Sequence, residues 1–287
     1  MKRFGLWAPI AFSVAAFAFL YRAVIAKLVY DWTYDGNFSH GFLIVPIAAY
    51  LVWERRKKLA ATPLEPTVIG LVLLVGSLAT LAAGILGAEL FLSRVSMIGV
   101  IGSIVLFTTG WRFLRVLMFP LAFLLLMIPI PAIIFNEIAF PLQLLASRGA
   151  ELTLSTAHIP VLREGNIIVL ANTTLEVAEA CSGIRSLISL VTLAIIYGYF
   201  TDQRTWARVV LTLAAVPVAV LANAARVAGT GVAAHYYGPE AAEGFFHTFS
   251  GWMLFLVAFV MLFGIQKLLG VGTPTTGPGG GMRVAEV

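Results

Sequence analysis

Long apolar runs alternate with short polar breaks along this chain, and most of the runs have the length of a bilayer-spanning helix. Crossing the hydrocarbon takes about 20 apolar residues. The pattern predicts eight helices, at about 5–28, 38–53, 67–88, 93–111, 113–135, 183–200, 207–230 and 249–269. The second is short and is expected to tilt or to thin the bilayer around it. The fourth and fifth are separated only by Trp111-Arg112-Phe113-Leu114-Arg115, which reads as a tight basic turn. After the fifth run the pattern changes. Phe140-Pro141-Leu142-Gln143-Leu144-Leu145 is amphipathic and predicts a helix lying in the interface. Two β-prone runs then flank Glu164-Gly165-Asn166, which predicts a small hairpin over Val161–Leu170. A second polar break leads into Leu175-Glu176-Val177, the start of a third strand.

Composition fixes the class. The chain has 287 residues, 60% hydrophobic and 11% charged, with a mean hydropathy of +0.95. No soluble domain of that size hides so much apolar surface. The expected fold is an all-α polytopic membrane protein with about eight transmembrane helices, a small outer-face β-hairpin and an interfacial amphipathic helix. An integral membrane domain should occupy 1–270, with an outer-face insertion at about 136–183. The Gly/Pro-rich segment 271–287 should be a disordered cytoplasmic tail. Met1-Lys2-Arg3 precedes apolar residues as in a signal peptide, but no small-residue cleavage site follows, so this segment reads as a retained first helix.

Charge supplies the orientation. With the N-terminus inside, the inner segments hold twelve of the nineteen basic residues, among them Arg55, Arg56, Lys57, Lys58, Arg112, Arg115, Arg204, Arg208 and Lys267. The outer segments hold ten of the fourteen acids. This positive-inside bias makes both chain ends cytoplasmic and sets Cys181 at the outer start of the sixth helix. The net charge of +5 comes from short clusters between apolar runs, so nucleic acid is not an expected partner; membrane lipids are. A single cysteine excludes a disulfide framework and a cysteine-rich metal site. No metal and no cofactor is expected.

Three unlike groups then arrive at the outer face from three consecutive helices. Cys181 stands in Glu179-Ala180-Cys181-Ser182-Gly183-Ile184-Arg185, ahead of the sixth helix, where a helix N-terminus and nearby cations favour thiolate. Asn223 and Arg226 are three apart on one face of the seventh helix, in its outer third. A guanidinium at that depth costs several kcal/mol by most estimates unless it finds a partner or reaches water. His247 begins the eighth helix. A thiolate, an imidazole that takes and returns a proton, and a fixed guanidinium are sufficient for acyl-enzyme chemistry. Each also has an ordinary reading: packing for Cys181, lipid-phosphate contact for Arg226, interfacial placement for His247. His40, His158 and His235 compete for the base role, and Arg185 competes for the cationic one. Glu179 either tunes the site or solvates its loop. Ser182 and Ser39 are alternative nucleophiles that lack a nucleophile-elbow setting.

Ala180-Cys181-Ser182-Gly183-Ile184-Arg185-Ser186-Leu187, Asn223-Ala224-Ala225-Arg226, and His247 followed by Gly251-Trp252 together resemble the exosortases, bacterial relatives of the archaeosortases. The early segment Phe38-Ser39-His40-Gly41, with Pro46 and Trp53-Glu54-Arg55-Arg56, resembles the same family. The resemblance covers roughly 38–268. It implies a membrane-embedded cysteine transpeptidase of Gram-negative inner membranes, linked to extracellular polysaccharide production. It maps the nucleophile onto Cys181, the thiolate or oxyanion stabiliser onto Arg226 and the general acid/base onto His247. Asn223, Ser182, Glu179, Arg185 and His40 would support catalysis or bind substrate. The implied partners are exported proteins with a C-terminal PEP-CTERM signal: a Pro-Glu-Pro motif, a transmembrane helix and a basic tail. The rival is a non-enzymatic membrane component of polysaccharide export that binds a lipid phosphate.

Overall fold

The structure, a computed structural model, describes residues 4–171, 173–177, 184–202, 204–238 and 245–270; at 4–11, 176 and 245–250 it describes the backbone alone. The chain forms two compact units, the first ending at Ala132 and the second beginning at Ile133.

The first unit contains α1 (Phe4–Tyr34), α2 (Gly41–Glu54), the short α3 (Arg56–Ala61), α4 (Ile69–Leu86), α5 (Leu90–Thr109), α6 (Trp111–Phe123) and a 3-10 turn, Leu124–Met127. The segment Trp111–Arg115 is not a turn, as the charge cluster suggested, but the first turn of α6. The break is Gly110 alone, at φ 90, where a side chain would strike the Glu65 carbonyl. Arg94 of α5 is buried and pairs with Asp31 of α1, which Lys27 also contacts at 2.8 Å. Beside them the Tyr21 hydroxyl and Ser96 Oγ hydrogen-bond at 3.0 Å.

The continuous helix expected at 113–135 is broken. Pro129 and Pro131 carry no N–H, and the residue before a proline is driven out of the helical region. Ile128 accordingly turns extended, at φ −88 and ψ 121. In an unbroken helix the Met127 carbonyl would accept from residue 131, which is proline. Two side chains take over these carbonyls. Trp32 Nε1–H donates to Met127 O at 2.9 Å, and His40 Nε2–H donates to Leu126 O at 3.1 Å. Gly41 is part of the same joint, since a Cβ there would clash with the Trp32 ring at Nε1.

The second unit contains α7 (Ala132–Thr156), β1 (Val161–Glu164), β2 (Ile167–Leu170), β3 (Thr174–Glu176), α8 (Ile184–Thr201), α9 (Thr205–Tyr237) and α10 (Phe245–Gly270). The amphipathic stretch at 140–145 is one part of α7, a helix of 25 residues. The hairpin forms where expected, around the two-residue turn Gly165-Asn166, with Glu164 opposite Ile167. Gly165 supplies the positive φ, +66, that a glycine-first hairpin turn requires. The third strand pairs antiparallel with β2 and begins one residue earlier than expected.

Helix α9 is the spine of this unit. Val227, Ala228 and Ala234 pack with Ala146, Ala150 and Leu154 of α7 and with Ile168 and Leu170 of the sheet. Leu211, Ala215, Val218 and Ala219 pack with Leu190 and Ala194 of α8 and with Ala258 and Leu262 of α10. Alanine at these contacts lets helix backbones approach closely, which is what holds helices together where lipid removes the hydrophobic drive. At the turn between α8 and α9, Arg204 grips Asp202 with two hydrogen bonds of 3.0 and 2.6 Å and reaches the Leu269 carbonyl of α10 at 2.7 Å.

Among the described residues six helices are long and apolar enough to cross a membrane: Phe12–Tyr34, α4, α5, α8, α9 and Gly251–Gly270. The number is seven if Trp111–Met127 and Ala132–Thr156 form one broken span. Eight were expected, and the difference lies in α2, only 14 residues long, and in the proline break. The class stands: the protein is an all-α polytopic membrane protein with a small three-stranded sheet.

Candidate active site

A small cavity opens where α8, α9 and α10 meet. Its volume is about 20 Å³, room for about one water molecule. Most of its wall is apolar, from Leu190, Ala219, Ala222, Leu254, Phe255 and Ala258. Its polar lining is Ser186 of α8 with Asn223 and Arg226 of α9. Gly251 of α10 completes it.

Local sequence explains why these groups meet. Asn223 and Arg226 are almost one turn apart, so the helix presents both to the same neighbours. Asn223 is buried at 6% exposure. Arg226 is half-buried, and its Nε is fully covered. The guanidinium lies against the α10 backbone at Gly251: a Cβ there would stand 3.4 Å from Cζ and 3.5 Å from Nη2. A planar cation on α9 is thus held against the backbone of α10 in a mostly apolar wall. In such surroundings its field is screened far less than in water.

The other sequence-derived groups fall as follows. Cys181, Ser182 and Glu179 lie outside the described residues; along the chain Cys181 comes three residues before α8 begins and five before Ser186. The backbone of His247 lies in α10, one turn before Gly251, and its side chain is outside the described residues. Arg185 is in the first turn of α8 and exposed. His40 belongs to the first unit, where its Nε2–H is committed to the Leu126 carbonyl. Ser39 donates to Gly36 O at 3.2 Å in the turn before α2.

Two of the competing histidines have structural roles. His158 ends α7 at φ 59, with the Ile159 N–H bonded back to Leu154 O at 3.0 Å, a left-handed helix cap. His235 is in the last turn of α9, nine residues from Arg226, about 14 Å along the axis. Its ring stacks edge-on against Tyr236. Among the described residues no group of three or more His, Cys, Asp or Glu side chains is placed to hold a metal ion.

Sequence reasoning did not find Ser186 as a lining group, nor the contact between Gly251 and Arg226. The available signal was a glycine one turn after His247, in a helix that must pass an intramembrane arginine.

The transmembrane exosortase family (Exosortase_EpsH) matches the chain over residues 32–264. No curated protein and no solved structure matches it.

Proposed function

The chain belongs to the transmembrane exosortase family, and on that premise we propose that it is a cysteine protease and transpeptidase that processes exported proteins at a C-terminal sorting signal. The observation that supports this reading is the cavity at the junction of α8, α9 and α10, with the Arg226 guanidinium set into its wall. Helix α8 follows the cysteine, α9 supplies the cation, and α10 starts at the histidine's turn.

The chemistry runs in two halves. The Cys181 thiolate attacks the scissile carbonyl carbon, and the oxyanion that forms is stabilised by the Arg226 guanidinium. The C–N bond then breaks. The leaving amine takes its proton from His247, and the outer part of the substrate stays on Cys181 as a thioester. An acceptor N–H or O–H, water included, gives its proton to His247 as it attacks the thioester, and the thiolate leaves. Before attack, the α8 N-terminus and Arg226 both favour the thiolate. Asn223 and Ser186 orient Arg226 or the bound carbonyl, while Arg185, Ser182 and Glu179 belong to the surroundings of the site.

The positive-inside bias supports a topology with both termini in the cytoplasm and the site at the outer face, which in an inner membrane is the periplasmic one. The substrate signal fits that arrangement: a basic tail held inside leaves the Pro-Glu-Pro motif at the outer face, level with Cys181. The role is linked to extracellular polysaccharide production.

The test is an adduct. The wild-type chain incubated in membranes with a substrate bearing this signal should carry a hydroxylamine-sensitive mass increase on Cys181. Cys181→Ala should insert normally and process nothing. Full processing by that variant would end the covalent reading and return Arg226 to lipid-phosphate binding.

A further inference from the structure

Strand β3 is a sheet edge: the order is β1-β2-β3, and among the described residues no strand lies beyond β3. The register decides which backbone groups at that edge face away from β2, without a strand partner among the described residues. The Val177 N–H donates to Asn166 O at 2.9 Å, and the Leu170 N–H donates to Thr173 O at 2.8 Å. Between them Leu175 stands opposite Ile168. Bonded and non-bonded pairs alternate along an antiparallel ladder, so residues 173, 175 and 177 turn their backbone groups to β2. Thr174 and Glu176 direct theirs the other way. Thr174 is exposed, whereas Leu175 packs against the core that includes Ile168.

The two edges of this sheet are not equivalent. β1 is tied down by Arg163, whose Nε donates to Glu151 of α7 at 2.7 Å and whose Nη1 donates to Gly165 O at 2.8 Å. β3 instead precedes the nucleophile closely in the sequence. Cys181 is five residues past Glu176, at most about 18 Å of extended chain.

We propose that the open edge of β3 binds the substrate as an added strand, an extended peptide segment pairing its backbone with Thr174 and Glu176. This rests on the reading of Cys181 as the nucleophile. In strand addition main-chain hydrogen bonds give the affinity and alternate side chains give the specificity. A Pro-X-Pro segment suits a single open edge. Its middle residue turns N–H and C=O to the edge, while both prolines turn their hydrogen-free nitrogens away. The residue before each proline is already held extended, so little freedom is lost on pairing. The substrate is thereby laid down in fixed register a few residues from the thiolate.

The probe is a synthetic peptide with an outer Pro-Glu-Pro segment, an apolar helix of about 20 residues and a basic tail. A second version replaces the Glu N–H by an ester oxygen. The full Cys181→Ala chain in nanodiscs should show slowed amide exchange at Thr174 and Glu176 when peptide is bound, with Leu175 slow throughout. The ester version should bind about five- to tenfold more weakly, the worth of one hydrogen bond. In the otherwise wild-type chain, Thr174→Pro removes one open N–H and spares the bonds to β2; it should raise KM with kcat little changed. Unchanged exchange at both amides together with equal affinity for the two peptides overturns the added strand, while processing by the wild-type chain leaves the nucleophile reading in place. No processing and no adduct with the wild-type chain overturns both.

Discussion

Gly251 controls how closely α10 approaches the Arg226 guanidinium, and a graded substitution there measures how much the position of that cation matters. A Cβ at this position meets Cζ at 3.4 Å and Nη2 at 3.5 Å, an ordinary van der Waals contact. Gly251→Ala should therefore fit. Alanine in place of glycine in a helix interior stabilises by about 0.5–1 kcal/mol, so this variant should melt slightly higher and work at close to the wild-type rate. Gly251→Val adds two carbons about 1.5 Å beyond Cβ, and a helix confines them largely to one rotamer. The guanidinium must then move by about 1 Å, and overpacking costs about 1–3 kcal/mol. A displacement of that size at a catalytic group costs on the order of a hundredfold in rate. The loss should appear in kcat with KM nearly constant, because the cation acts on charge that develops in the transition state. The assay is cleavage of a signal-bearing reporter in membranes at several concentrations, with a melting curve on each variant. A folded Gly251→Val protein with wild-type kcat would refute the argument. Equal losses in the Ala and Val variants would refute it too, since the Ala side chain should leave the guanidinium where it is.

Arg226→Lys should fail nearly as badly as Arg226→Ala, by a hundred- to thousandfold or about 3–4 kcal/mol, because a point charge on a different stem does not reproduce a planar fork; Arg185→Ala should cost far less, and the opposite ranking would move the cationic role to the first turn of α8. Trp32→Phe should lower the stability of the first unit by about 1–3 kcal/mol, since it leaves the Met127 carbonyl without its donor in a buried joint, and unchanged melting would show that another donor takes that place. The two Arg204 hydrogen bonds hold the Asp202 carboxyl at about 2, below its ordinary 3.8. A depressed folded value means that this pair stabilises the α8–α9 turn above about pH 4 and releases it as pH falls toward 2; melting curves across that window should show an acid limb that Asp202→Asn lacks.

The parts of the fold that were legible in the sequence are those set by local rules. Apolar run length gave α4, α5, α8, α9 and α10 to within a few residues, save that α9 runs seven residues further. Gly165 between two β-prone runs gave the hairpin. The break after Met127 was written in Pro129 and Pro131, but hydropathy averaged over a window is blind to it: isoleucine and proline there keep the run apolar while removing the N–H groups that a helix needs. What followed from that break was not legible at all. The carbonyls it frees are answered by Trp32 and His40, some 90 residues earlier in the chain, and no local pattern records a partner at that separation. The candidate site divides along the same line. Helical periodicity alone puts Asn223 and Arg226 on one face. That the face looks onto Gly251 depends on the packing of α9 against α10, which alanines at 215 and 219 and at 258 make possible. An arginine in an apolar helix signals only that something must receive it. Here the guanidinium packs beside a glycine, and a glycine among apolar residues has too many other uses to be read as part of a site before the helices are placed.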